Sequence, residues 1–341
     1  MNETQETLIS IILPVYNSAQ YIERSISSIR KSTYKKYELI VIDDASTDNT
    51  VQLAGSLKPD LLLRNDCNHG PCYTRNLGVS HSRGSILYFH DADIMMFPDT
   101  LQKVYDTIIK KRHDCVIGLY SLSHPNTNLC SLYKNTWIRF SYLQSSEKAD
   151  WFFTAVGAIR KSVWDANPQF EIQLCNKKGG GDIEYGKVLV RNGYSIVLDK
   201  TLEVVHLKKF TLRELLENDL YRSFGYSRAS LIRKRSVGEL SRQGYANISG
   251  NFIGSICLSW LILFCTALSF IMPKCWVMAG ILIGVYGWHN RRFVSFIAKH
   301  FSLNFTLKVL PVMFADHVVC GIGVLGALFE KIVCCGKLKR K

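Results

Sequence analysis

The sequence predicts an α/β protein built on a doubly wound, mostly parallel sheet, followed by a basic amphipathic helix and C-terminal transmembrane helices. Three observations predict it. Short continuous apolar runs alternate with helical stretches over the first 206 residues, the pattern of strands buried on both faces of a parallel sheet. Between Arg242 and Lys274 no Asp, Glu, Lys or Arg occurs. The net charge of +14 belongs to the C-terminal third: residues 1–206 hold 23 basic against 22 acidic residues, 207–242 hold 9 against 4, and 243–341 hold 10 against 2.

The strands are expected at "LISIILPVY" (8–16), "YELIVIDD" (37–44), "LLLRN" (61–65), "SILYFHD" (85–91) and "CVIGLYSL" (115–122). Each is five to nine residues of mostly β-branched, aromatic or leucine side chains, too short for a helix of ordinary length. Helices are expected at 19–32, 70–82 and 98–112, and the last of these opens on Pro-Asp. In open α/β sheets ligands bind beyond the carboxyl ends of the strands, so functional acids are to be sought there. The first 206 residues make one domain.

After it, "KKFTLRELLENDLYRSFGYSRASLIRKR" places Leu212, Leu215, Leu216 and Leu220 at helical spacing among basic residues. Residues 207–242 are therefore expected to form a basic amphipathic helix lying at a membrane interface. The membrane domain, 243–341, holds three apolar runs. "FIGSICLSWLILFCTALSFIM" (252–272) is long enough to cross a hydrocarbon core of roughly 30 Å. "CWVMAGILIGVYGWHN" (275–290) follows a Pro-Lys break, has Trp276 and Trp288 near its ends, and reads as the return arm of a hairpin. The third run, 309–329, carries Asp316 and His317 in its middle. An acid there is costly in lipid, and a re-entrant segment turning near Pro311 or Asp316 would also keep the basic "KLKRK" (337–341) inside, so that reading is favoured over a full crossing.

Charge placed beside apolar runs suits anionic lipid headgroups, whereas a nucleic-acid binder carries its positive charge on the folded domain; a membrane partner is expected and nucleic acid is not. The 11 cysteines fall at irregular spacings with no Cys-x-x-Cys pair, which argues against a disulfide framework or a zinc site and for reduced thiols. The polar, acidic opening "MNETQETLIS" does not read as a signal peptide. An integral membrane protein with a cytoplasmic N-terminal domain is the expectation, with oligomeric state left open.

Acids do stand at the strand ends. "VIDDASTDNT" places Asp43 and Asp44 at one, and "LYFHDADIMM" places Asp91 and Asp93 at another. Asp43 and Asp48 read well as caps of the next turn. In an extended segment Asp91 and Asp93 would share a face, and two carboxylates on one face call for a cation between them. Mg²⁺ or Mn²⁺, completing its shell with phosphate oxygens, meets that requirement. Tyr16 can stack on a planar base and Arg75 can grip phosphate in a fork geometry.

"ISIILPVYN", "IVIDDASTDNT", "GPCYTRNLGV" and "ILYFHDADIMMFPDTL" resemble, in order and spacing, the motifs of family 2 glycosyltransferases with the GT-A fold. The resemblance covers about the first 206 residues. It implies that Pro14, Tyr16, Asn17 and Asp44 line the nucleoside pocket, with Asp44 accepting from a uracil ring. Arg75 and Asn76 lie where the family makes a basic contact to the nucleotide. Asp91 and Asp93 match the Asp-x-Asp element that holds ribose, metal and diphosphate, and His206, ending a later strand, stands where the family often completes the metal or diphosphate site.

On the acceptor side, "FFTAVGAIRKSVW" (152–164) resembles a strand ending in small residues, and "GGGDIEYG" (179–186) resembles the family's acidic motif at a helix start. Asp182 matches the catalytic base and Glu184 the following acid, while Gly181 stands where the family usually has Glu. A carboxylate at a helix N-terminus is stabilised in its ionised form.

Together these imply an inverting, metal-dependent glycosyltransferase that takes a nucleotide sugar, with UDP-sugar favoured, to a polyprenyl phosphate or other lipid-linked acceptor. Two other readings stay open. A processive polysaccharide synthase would resemble its kind in a Gln-x-x-Arg-Trp element, which 206–250 lacks. A catalytically silent sugar-nucleotide or lipid-binding protein is suggested by Gly181.

Overall fold

The computed structural model describes residues 7–172, 181–232 and 250–338. They form two compact units, one holding the described residues up to Asn126, those from Leu143 to 172 and Gly181–Lys208, the other holding Thr127–Tyr142 and the described residues from Lys209 on. The glycines at 179 and 180, residues 233–249 of the expected interface segment and its flank, and 339–341 lie outside the described residues.

The first unit is a mixed sheet flanked by helices. Its strands are β1 (Ile9–Val15), β2 (Tyr37–Asp43), β3 (Leu61–Arg64), β4 (Ile86–His90), β5 (Ile94–Met96), β6 (Cys115–Tyr120), β7 (Lys148–Ala149), β8 (Val156–Arg160) and β9 (Ile196–His206). They run in the order β3-β2-β1-β4-β8-β6-β9-β5, with β7 paired to β9. β3, β2, β1 and β4 are parallel, as expected. Beyond β4 the sheet departs from that expectation: β8 enters antiparallel to both β4 and β6, and β5 runs antiparallel to β9. The sheet is thus mixed, and beyond β4 the parallel pairing among the described strands is that of β6 with β9.

The helices that matter to the site are α1 (Ala19–Arg30), α2 (Thr50–Ser56), α3 (Pro71–Ser80), α4 (Thr100–Tyr105, continued as a π-helical turn to Lys110), α6 (Lys161–Asp165) and α7 (Gly181–Arg191). Proline at the first position of α3 costs no hydrogen bond, since that N–H has no helical partner anyway. The core is the two-sided sheet, where Ile11, Ile12, Leu13, Leu39, Val41, Ile86, Leu87, Val116 and Ile117 are all fully buried. That burial explains why β1, β2, β4 and β6 read as continuous apolar runs.

The second unit holds α5 (Leu129–Gln144, all but its last two residues), α8 (Leu212–Ile232), α9 (Gly250–Leu268), α10 (Cys275–His289), α11 (Arg291–His300) and α12 (Leu303–Leu338). α9 and α10 form the expected hairpin, tied by the Ser255 hydroxyl donating to Asn290 Oδ1 at 2.9 Å. The re-entrant reading of 309–329 is corrected, because α12 runs unbroken from Leu303 to Leu338 through Pro311 and Asp316. Its acid is accommodated within protein: Asp316 is buried and its Oδ2 accepts from the Tyr133 hydroxyl at 2.7 Å. Asn251–Leu268 and Leu303–Val333 are long and apolar enough to cross a membrane.

α8 buries part of the leucine stripe that the sequence suggested: Leu215 is buried, Leu216 and Leu220 are half-buried and Leu212 is exposed, and Asp219, Ser223, Tyr226 and Ser230 are buried with Leu215 at three- and four-residue spacing. The buried polar residues have partners or small neighbours. Lys134 of α5 pairs with Asp219, and a Cβ added at Gly323 of α12 would lie 2.1 Å from Ser223 Oγ, so the absence of a side chain there lets α8 and α12 touch. A short helix with one apolar face and one basic face is α11, where Phe293 and Ile297 are buried and Arg291, Arg292 and Lys299 are exposed.

Candidate functional site

All the residues expected to act on the donor and acceptor lie in the first unit. β1 ends at Val15, and the chain then turns through Tyr16 and Asn17. Tyr16 is 47% exposed, which leaves its ring available. Asn17 takes a positive φ of 45°. Its Oδ1 accepts from Thr47 N at 2.8 Å and its own N–H donates to Ser46 Oγ at 2.9 Å, so it binds the β1 turn to the loop after β2. Pro14 is half-buried at the end of β1, in register with Ile42.

Asp43 and Asp44 divide the labour at the end of β2. Asp43 Oδ2 accepts from Ser46 N at 3.1 Å, the turn-capping part expected of it. Asp44 is buried and does more than capping. Its Oδ1 accepts from Asn65 Nδ2 at 2.7 Å and His69 N at 2.9 Å, and its Oδ2 accepts from Gly70 N at 2.8 Å. One carboxylate thus gathers both ends of the loop between β3 and α3.

Asp91 and Asp93 are not in an extended segment, as the alternation argument required. They sit in a tight turn between β4 and β5, closed by Ile94 N donating to Asp91 O at 3.2 Å. The turn sends the two acids to different partners. Asp91 Oδ1 lies 2.6 Å from Arg75 Nη2 of α3, whose side chain is buried. Asp93 Oδ2 lies 3.7 Å from His206 Nε2, because β5 pairs antiparallel with β9 and sets Ile94 opposite His206. Leu207 N donates to Asp93 O at 2.7 Å, which fixes that juxtaposition through the backbone. Burial pushes the Asp93 carboxyl up, but the nearby His206, with Lys208 behind it, outweighs that and holds it at about 2.

His206 is itself positioned by neighbours the sequence gave no reason to select. Tyr120, at the end of β6, stacks on its ring with centroids 4.5 Å apart and planes 5° from parallel. His124 approaches edge-on at 6.0 Å, and burial, then the nearby His206, hold its imidazole down at about 4. Tyr120 sits at a strand end and His124 two residues past the strand signal, positions with no periodicity to mark them.

Asn76 takes a different part from the expected nucleotide contact. Its Nδ2 donates to Phe170 O at 2.9 Å and its Oδ1 accepts from Phe170 N at 3.2 Å, so the amide is spent clamping the chain after α6.

On the acceptor side, Asp182 and Glu184 both fall in the first turn of α7. Asp182 Oδ2 accepts from the Thr154 hydroxyl at 3.3 Å and Oδ1 from Ile183 N at 2.9 Å. Glu184 is buried. α7 is pressed against the chain before β8: a Cβ on Gly186 would lie 2.2 Å from Phe152 N and 2.3 Å from Trp151 C. Glycine there is what allows the helix, and Asp182 with it, to approach Thr154. Among the cysteines, Cys72 of α3 is disulfide-bonded, a departure from the reading of all of them as reduced thiols. The other cysteines whose side chains are described are free.

Comparison with known proteins finds glycosyltransferases. Residues 10–163 match the family model "Glycosyl transferase family 2". Glycosyltransferase AglE of Haloferax volcanii is 28% identical over 55% of this chain and 63% of its own length. The Escherichia coli UDP-Glc:alpha-D-GlcNAc-diphosphoundecaprenol beta-1,3-glucosyltransferase WfgD is 34% identical over 35% of this chain and 48% of its own. The chain spans less than two thirds of the length of these relatives. Among solved structures, the mannosyltransferase PcManGT from Pyrobaculum calidifontis, in complex with GDP-Man and Mn²⁺, aligns over 94% of this chain and 88% of its own with a TM-score of 0.56 at 17% identity, a likeness of fold. Residues 10–163, which carry those motifs, are thus similar to glycosyl transferase family 2, and the fold they belong to is one that such an enzyme shares.

Proposed function

We propose that this protein transfers a sugar from a nucleoside diphosphate sugar, UDP-sugar in the first instance, to a membrane-associated acceptor, with inversion at the anomeric carbon. The observation that carries the reading is the approach of Asp93 to His206, beside the ion pair of Asp91 with Arg75. Two ligands of a hard divalent ion with bonds of about 2.1 Å stand roughly 3 Å apart when adjacent. The 3.7 Å between Asp93 Oδ2 and His206 Nε2, with the carboxylate held ionised, fits Mg²⁺ or Mn²⁺ after a small closure. Asp93 and His206 would hold the ion, with Asp91 as a further oxygen donor at the turn, and the ion would neutralise the diphosphate leaving group.

The chain's own residues supply binding and proton handling. Tyr16 stacks on the base, and Pro14 and Asn17 shape the turn beneath it. A carboxylate offers about four lone-pair sites, so Asp44, with three taken, keeps one for a ring N–H. Arg75 contributes positive charge next to the phosphates while orienting Asp91, and Asn76 fixes the wall behind it through Phe170. On the other side, the acceptor hydroxyl attacks the anomeric carbon as its proton passes to Asp182 Oδ2, which the Thr154 hydroxyl keeps in place. Glu184 orients the acceptor side. With a phosphate acceptor no strong base is needed, and Asp182 then orients it.

The second unit supports a membrane-associated acceptor. Phe270, Ile271, Val277, Trp288, Phe329 and Ile332 are exposed apolar side chains on α10, α12 and the α9–α10 turn, a surface suited to lipid. A polyprenyl phosphate or lipid-linked glycan presented at a bilayer, with the first unit on its cytoplasmic side, suits a chain so built; WfgD acts on an undecaprenol-linked sugar. The test is a donor screen with Mg²⁺ or Mn²⁺ and native lipid extract, following released nucleoside diphosphate and labelled sugar. Label in the organic-soluble fraction, lost in Asp93→Ala, is the expected result; label confined to water-soluble polymer sinks the acceptor assignment.

A further inference from the structure

We propose that Asp66, Cys67 and His69, on the loop between β3 and α3, form a second metal site, for a borderline-soft divalent ion of the Zn²⁺ or Co²⁺ class. One nitrogen is the point of convergence: His69 Nε2 stands 2.7 Å from Asp66 Oδ1 and 3.4 Å from Cys67 Sγ. The carboxylate oxygen, thiol sulfur and imidazole nitrogen all lie within 4.8 Å of one another. A tetrahedral ion with bonds of about 2.3 Å to sulfur and 2.0 Å to nitrogen sets those two ligands roughly 3.5 Å apart. The sulfur and nitrogen already have that spacing. The oxygen and nitrogen are drawn closer by a shared proton, which the metal would displace from Nε2, leaving the neutral imidazole protonated on Nδ1, while the thiol proton leaves to solvent.

The donor set chooses the metal. Thiolate and imidazole favour Zn²⁺ and Co²⁺ and are poor ligands for Mg²⁺, whereas Asp93 and His206 make a harder site. The imidazole is already oriented, since Tyr73 packs on its ring at 4.3 Å. The cluster is exposed, so an ion can enter and a water can complete its shell.

The location gives the site a consequence. Asn65 and Gly70, which bracket the three ligands, both donate to Asp44, as does His69 N. An ion clamping residues 66–69 would pre-order the loop on the carboxylate assigned to the nucleoside pocket, and so tighten nucleoside diphosphate binding; this second step rests on the function proposed above, and the metal site does not.

The test is Co²⁺ titration of the full-length protein in excess Mg²⁺, read by the near-ultraviolet sulfur-to-cobalt charge-transfer band. The band is expected in the wild type, absent in Cys67→Ser, weakened in His69→Ala and abolished by Zn²⁺ competition. No band, or one that persists in Cys67→Ser, overturns the site. UDP and GDP titrations with and without Zn²⁺ then test the coupling: tightening of roughly fivefold or more in the wild type, absent in Cys67→Ser, supports it. A band with unchanged affinity for nucleotides that do bind overturns the coupling alone, and failure of both nucleotides to bind would instead count against the nucleotide-sugar reading.

Discussion

His206 Nε2 faces Asp93 Oδ2 across 3.7 Å because β5 and β9 run antiparallel with Ile94 opposite His206. The two residues are 113 positions apart in sequence, and a three-residue strand brings them together. If this pair holds the metal, His206→Ala should weaken Mn²⁺-dependent nucleoside diphosphate binding by about tenfold to a hundredfold, while metal-independent nucleotide binding changes little. Isothermal titration with and without Mn²⁺ separates the two, and an equal loss in both arms would deny His206 a metal role.

Arg75 and Asp91 should prove energetically coupled. The Arg75 side chain is largely buried, and Asp91 is about a third exposed. Removing either partner leaves a partly desolvated charge, discounted for the screening that Asp91 receives. A double-mutant cycle with Arg75→Met and Asp91→Asn is expected to give a coupling of about 1–2 kcal/mol in thermal or denaturant unfolding. Arg75→Lys should recover only part of it, since the ammonium lacks the guanidinium fork. Strict additivity of the two single changes would show that the pair contributes nothing to the fold.

The parallel half of the sheet was legible because its strands are buried on both faces and read as unbroken apolar runs, as in Ile9–Val15 and Ile86–His90. β5 and β7, three and two residues long, carry too little pattern to be seen, yet β5 is what delivers Asp93 to His206. The acids at the strand ends were legible as types at positions. Their partners were not, since Asp44 gathering Asn65, His69 and Gly70 depends on a loop whose course no periodicity records. Likewise α8 buries Asp219 and Ser223 beside Leu215, because Lys134 and the bare backbone at Gly323 receive them. Sequence shows the stripe but not what stands opposite it.

Gly186 offers a way to move Asp182 without touching it. An added methyl would meet backbone atoms of Phe152 and Trp151 at 2.2–2.3 Å, where no side-chain rotation can relieve it. Gly186→Ala should therefore destabilise the first unit by about 1–3 kcal/mol and lower kcat, as α7 is displaced from Thr154. Gly55→Ala, whose Cβ would meet only Leu62 Cδ2 at 3.6 Å, is the matched control and should be nearly silent in both measurements. A Gly186→Ala protein with wild-type kcat would show that the Thr154–Asp182 contact does not limit the reaction.

Glu38 contributes to the acid limit of the first unit's stability. It is buried on β2, where Oε1 accepts from Ser10 Oγ at 2.5 Å and Arg83 N at 2.7 Å, and Oε2 from Arg83 Nε at 2.8 Å. Burial pushes this carboxyl up, but the hydrogen bonds of Ser10 and Arg83 and the guanidinium charge more than offset it, so its pKa lies below the usual glutamate value. A carboxyl lowered in the folded state stabilises that state above its unfolded pKa, and the contribution is lost as pH falls through the folded value. Unfolding followed from pH 7 downward should show stability declining below about pH 4.5. Glu38→Gln removes the charge-assisted bonds and puts an N–H₂ where only acceptors fit, costing about 2 kcal/mol at pH 7; the Arg83 side chain is mostly exposed, so its charge adds little to that figure. The variant should also have a shallower acid limb, its gap to the wild type narrowing as the wild-type carboxylate is protonated. A gap that stays constant down to pH 3 would mean that Glu38 stabilises the strand by shape and not by charge.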